Sequence, residues 1–156
     1  MDAIIMPSIT LLVNKLQADH PGYTFTASDT FRWSPQEKRI YYDQSSEDSA
    51  SLLHELSHAT LGHSQYNKDI ELIEMERNAW EHAIATLAVD YDVAINDDIA
   101  QDALDTYRNW LHARSVCPQC AATGVQTKKN EYKCIACGTK WRVNEARVCS
   151  LRRYRL

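Results

Sequence analysis

The chain predicts an α+β fold, a body of helices and a small sheet followed by a β module pinned by cysteines. Three short β-branched and aromatic runs, Tyr23–Thr26, Thr30–Trp33 and Arg39–Tyr42, come before residue 43, and the stretch from 47 to 113 then repeats its apolar residues at helical spacing. Beyond it, four cysteines fall in two pairs, Cys117-Pro118-Gln119-Cys120 and Cys134-Ile135-Ala136-Cys137, with 13 residues between them. With 156 residues, 44% of them apolar, the chain can bury one modest core and a small satellite, which excludes two full domains.

The first element is the apolar run from Ala3 to Val13. It follows Asp2, not a basic segment, contains Pro7 and lacks a small-residue cleavage site, so it reads as a buried helix over 7–19 and not as a signal peptide or membrane span. No other stretch approaches the length of a span, and the expectation is a soluble, cytoplasmic protein with no membrane partner. The three strand-like runs should form a small antiparallel sheet, the last two joined by a hairpin loop at Ser34–Lys38. The last strand leads into the next helix, an arrangement in which an edge strand would hold an extended peptide by backbone pairing.

That helix is predicted over 47–62, capped by the serine-rich acidic run Ser45–Ser49 and ended by Gly62. It contains His54-Glu55-Leu56-Ser57-His58. Two imidazoles four residues apart share one helix face and can grip one metal ion, and Glu55 between them is suited to take the proton of a water held there. The plain alternative is two surface histidines on an amphipathic helix.

Two further helices are expected over 68–91 and 97–113. The first carries Asp69, Glu71, Glu74, Glu76 and Glu81. Projected at helical pitch, Leu72, Ile73, Ala79, Trp80, Ala83, Ile84 and Leu87 form an apolar arc with Glu76 near its middle, while Glu71, Glu74 and Glu81 face the other way. A carboxylate centred on a core-facing stripe is costly unless paired or bound to a cation, so Glu76 is the predicted third ligand. His63 is the competing one.

The cysteine pairs have the spacing of a closed four-thiolate zinc site formed by Cys117, Cys120, Cys134 and Cys137. Disulfides compete with that account, but the expected reducing compartment argues against them. Between and after the pairs, Gly124–Thr127, Glu131–Lys133 and Trp141–Val143 read as short strands, the outline of a zinc ribbon, with Cys149 left as a structural or free thiol.

Charge divides the chain at the same place. Residues 1–113 hold 7 Lys and Arg against 19 Asp and Glu, whereas 114–156 hold 10 against 2, so the overall −4 hides −12 and +8. Two parts are expected, a main domain over 1–113 and the small satellite over 114–156. The basic end, with aromatics interleaved through Arg152-Arg153-Tyr154-Arg155, suits phosphate contact and base stacking, or else pairing with the acidic body of the same molecule.

His54-Glu55-Leu56-Ser57-His58-Ala59-Thr60-Leu61-Gly62-His63 with Glu76 downstream resembles the gluzincin-type zincin metallopeptidases, most closely the ImmA/IrrE-like group, over residues 36–90. The resemblance implies a zinc metalloendopeptidase that hydrolyses peptide bonds of a protein substrate, with zinc on His54, His58 and Glu76 and Glu55 as general base. Such relatives often carry Asp or Asn four residues after the ligand glutamate; this chain has Trp80, so Asp69, Asn78 or Asp90 would have to orient a histidine instead. Tyr132–Gly138 is similar to the ribbon of SprT-like proteases. Two zinc ions are thus implied, one catalytic and one structural, and an oxyanion donor is sought among His63, Tyr66, His82, Tyr107 and His112. The alternative is an inactive zincin scaffold that binds nucleic acid or docks on protein through its ribbon.

Overall fold

The computed structural model describes residues 9–145, 147 and 150–156, and within them it is α+β, with four helices, the third of which runs on through a π-turn into a short last segment, and two small sheets. The start of the expected first helix and Cys149 lie outside the described residues. Packing divides the chain into two compact units, one of residues up to Ser64 with Asn78–Asp97, the other of Gln65–Arg77 with the residues from Asp98 onward. The division passes through a single helix, which belongs to both. No helix among the described residues is long and apolar enough to cross a membrane.

In the first unit, α1 (Ile9–Asp19) buries Ile9, Leu12, Val13 and Leu16, an i, i+3, i+4, i+7 stripe. Strands β1 (Thr24–Ser28), β2 (Arg32–Ser34) and β3 (Arg39–Asp43) form a sheet in the order β1-β3-β2. The predicted hairpin of β2 and β3 is present, but β1 lies parallel to β3, with Phe25 beside Ile40, so the sheet is mixed and not antiparallel as expected. Burial accounts for the order of the strands. Ile40 is fully buried and draws β3 to the centre, leaving β1 and β2 as the edges, so the strand that leads into α2 is not an edge strand.

Helix α2 (Ser49–Thr60) starts where the Asp48 carboxylate accepts the Ser51 N–H at 2.9 Å, and buries Leu52, Leu53 and Leu56 against α1 and the sheet. Helix α3 (Asp69–His82) continues through a π-helical turn, Ala83–Leu87, into the short α4 (Ala88–Asp90). The wider turn rephases the helix so that Ala83, Leu87 and Ala88 all reach the core of this unit.

The second unit joins the first half of α3, helix α5 (Asp97–Ser115) and a four-stranded antiparallel sheet of β4 (Val125–Lys128), β5 (Glu131–Lys133), β6 (Lys140–Val143) and β7 (Arg153–Arg155). Its core is Cys117, Tyr132, Cys134, Trp141 and Val143. β7 is the unpredicted strand, because its Arg-Tyr-Arg residues are all exposed and carry no apolar alternation.

Candidate metal centre

Helix α2 puts His54 and His58 on one face, both more than nine-tenths buried. Their Nε2 atoms face each other at 3.1 Å. Two nitrogens on a tetrahedral zinc at about 2.0–2.1 Å stand about 3.3 Å apart, so the pair already has the separation a shared ion requires. One turn beyond Glu76 on α3, Trp80 stacks on the His54 ring at 4.2 Å between centroids and 22° between planes. Ligand atoms of His54, His58 and Glu76 lie within 4.8 Å of one another, and all three residues are buried. The stripe predicted around Glu76 holds: Leu72, Ala79 and Ala83 are buried with it, Glu74 and Glu81 are exposed.

The end of α2 fixes the His58 ring. Gly62 adopts φ 71°, its N–H bonds to Ala59 O and the His63 N–H bonds to His58 O, a Schellman motif with Gly62 at C′ and His63 at C″. That motif brings C″ against C3, here His63 against His58. Their Nδ1 atoms lie 2.9 Å apart. With the His58 Nε2 lone pair turned to a metal, its proton sits on Nδ1 and is donated to His63. His63 therefore backs the His58 ring from the side away from His54. The orienting partners are His63 and the Trp80 ring, while Asn78 and Asp90 are exposed and Asp69 is engaged elsewhere.

Glu55 is held by the sheet. The backbone N–H of Trp33, on the edge strand β2, donates to Glu55 Oε2 at 2.8 Å, and the Trp33 indole N–H donates to His63 O at 3.0 Å. One strand residue thus ties down both the carboxylate and the turn behind His58. Nothing in the sequence marks a backbone N–H for this purpose. Of the five proposed oxyanion donors, His63 faces His58 and Tyr107 stands beside Glu76: burial, then the Glu76 charge, push the Tyr107 phenol up to about 12, so it stays protonated, and the Arg147 guanidinium lies 4.0 Å from its ring centroid. His112 is exposed.

The second cluster is Cys117, Cys120, Cys134 and Cys137, all free, with sulfurs within 4.8 Å of one another. Cys117 and Cys137 Sγ are 3.7 Å apart, Cys120 and Cys134 Sγ 3.5 Å, against about 3.8 Å for sulfurs at about 2.3 Å from a tetrahedral zinc. Each pair sits on a tight knuckle, in which Ala121 N–H bonds to Cys117 O and Gly138 N–H to Cys134 O. The Thr139 hydroxyl beside Cys137, then the Thr139 backbone N–H, lower that thiol to about 6, which favours the thiolate a metal needs. Both clusters have the donor chemistry and spacing of metal sites.

In comparisons with known proteins, no family model, no curated protein and no solved structure matches this chain.

Proposed function

We propose that this chain is a zinc-dependent metalloendopeptidase of the zincin kind, acting on a protein or peptide substrate, with a second, structural zinc in its ribbon. The observation that carries the reading is the convergence of His54, His58 and Glu76 within 4.8 Å, the two histidines lying on a helix whose Glu55 is fixed by a strand N–H. An ion bound there supplies Lewis acidity to the scissile carbonyl and lowers the pKa of the attacking water. Glu55 does the proton work. Trp33 occupies Oε2, which leaves Oε1 to take the proton from water and return it to the departing amine nitrogen. His63 and Trp80 hold the two imidazoles, and we assign the Tyr107 hydroxyl, beside Glu76, as the donor to developing negative charge. The test is incubation of the zinc-loaded chain with an unstructured protein such as casein, with fragments read by mass spectrometry. Cleavage that disappears in Glu55→Gln supports the proposal, and cleavage equal in both proteins overturns it.

A second reading, nucleic-acid binding by the ribbon, is favoured by one observation on its sheet. Lys133 lies directly opposite Lys140, and like charges in that register destabilise a sheet unless an anion offsets them. On the same face Arg142 covers the Tyr154 ring at 4.7 Å. A gel shift with single-stranded DNA that weakens steeply with salt, and is lost when Lys133 and Lys140 are both changed to Glu, supports it; no shift even in low salt overturns it.

A further inference from the structure

We infer that the four-cysteine module is a working part of the histidine centre, with Asp69 as a positioning residue through which it sets the place of Glu76. The inference rests on the reading of Glu76 as a metal ligand.

Asp69 is the first residue of α3 and is only 1% exposed. Its backbone N–H, one of the donors a helix start leaves without an intrahelical acceptor, bonds to Gln126 Oε1 of β4 at 2.7 Å. Its carboxylate accepts from Arg114 Nε at 2.8 Å and from the Tyr132 hydroxyl of β5. Arg114, also 1% exposed, spreads further into the same module: Nη2 donates to Asn130 Oδ1 at 2.8 Å and Nη1 to Asn144 O at 2.5 Å, while the Arg114 carbonyl accepts the Trp141 indole N–H at 3.0 Å. Two strands of the ribbon, β4 and β5, thus bond the first residue of α3, and β6 holds Arg114 behind it.

From Asp69 to Glu76 is seven residues of unbroken helix. At 3.6 residues per turn and 1.5 Å per residue, that separation is about 10 Å along the axis with a rotation of about 20°, so the two carboxylates share one face. Fixing Asp69 therefore fixes both the height and the rotation at which Glu76 emerges. A buried ion pair of this kind is weak as a source of stability, because desolvation offsets most of the attraction. What the planar, multiply bonded Arg114 fork supplies is geometry.

The link to the cysteines is packing. Tyr132 and Trp141 stack at 5.7 Å between centroids in one core with Cys117 and Cys134. A metal on the four sulfurs holds the knuckles that clamp this core, and the core presents the Tyr132 hydroxyl and the Trp141 indole to the Asp69–Arg114 pair.

The test is zinc affinity at the histidine centre of the full-length chain, measured by competition with a chromogenic chelator, with cobalt spectra separating thiolate from imidazole sites. Asp69→Asn, Gln126→Ala and Tyr132→Phe each remove one link and leave the ribbon cysteines in place. The expected result is weaker binding at the histidine centre by about 10- to 100-fold with the thiolate signal unchanged. Asp69→Glu should recover less affinity than wild type, since the longer side chain displaces the helix. Wild-type affinity in all three variants overturns the inference while the metal-site reading stands. If the wild-type chain takes up only one metal ion, and Glu76→Ala leaves that uptake unchanged, the parent reading fails and the inference with it.

Discussion

His58 and His63 meet Nδ1 to Nδ1 at 2.9 Å across the turn that Gly62 makes, so the turn that ends the helix also holds the His58 ring. Removing that support should loosen the metal without abolishing it. His63→Ala is expected to weaken zinc by about 10- to 100-fold, the usual effect of losing a group that orients a ligand, whereas His58→Ala should eliminate binding at this centre. Equal losses in the two variants, measured by metal competition, would make His63 a ligand and contradict the assignment.

Three glutamates on α3 provide an internal control. Glu76 is 6% exposed among Leu72, Ala79 and Ala83, whereas Glu74 and Glu81 are exposed. Glu76→Ala should lose the ion at the histidine centre. Glu74→Ala and Glu81→Ala should stay within about 0.5 kcal/mol of wild type in stability and keep both metals. Thermal unfolding and metal content, read on all three, check the ranking.

Tyr132 gives an alkaline signature. Burial, then its hydrogen bond to Asp69, raise the phenol pKa above its ordinary value. A raised pKa means that the contribution to stability is fully present below the unfolded value, about 10, and is lost as pH climbs above it. Tyr132→Phe should therefore cost about 1–3 kcal/mol at pH 8 by leaving the Asp69 carboxylate one donor short. The gap between variant and wild type should narrow above about pH 10; urea unfolding at both pH values tests it.

Gly124 marks a close approach inside the ribbon. A Cβ there would run into the fully buried Trp141 ring and come within 2.9 Å of Lys133 O, and neither can move aside without opening the core. Gly124→Ala should cost at least about 1–3 kcal/mol and speed the loss of the cysteine-bound metal to a chelator. Unchanged melting and metal release would show that the ring has room.

What the sequence revealed were local spacings. His54 and His58 four apart, Cys117 and Cys120 three apart, and Glu76 on an apolar stripe all follow from helix or knuckle geometry, and each group converges in space. What stayed hidden depends on distant packing. The central place of β3 follows from burying Ile40, the parallel direction of β1 is set by no local pattern, and the stack of Trp80 on His54 follows from how α3 meets α2. Arg114 is the instructive case. It heads the basic stretch, whose charge alone suggests pairing with the acidic body without naming a partner, and it is buried against Asp69, 45 residues earlier. No periodicity joins two such positions. Gly62-His63 was more accessible, since glycine at C′ makes the next residue fold back on the last turn.

The central claim is that His54, His58 and Glu76 hold a metal separate from the one on the four cysteines. Native mass spectrometry of the zinc-loaded chain measures this directly. The account predicts two zinc ions in the wild type, one in Glu76→Ala and in His54→Ala, and one, held elsewhere in the same chain, in a variant with Cys117 and Cys120 both changed to Ser. A single ion in the wild type that survives Glu76→Ala would contradict it.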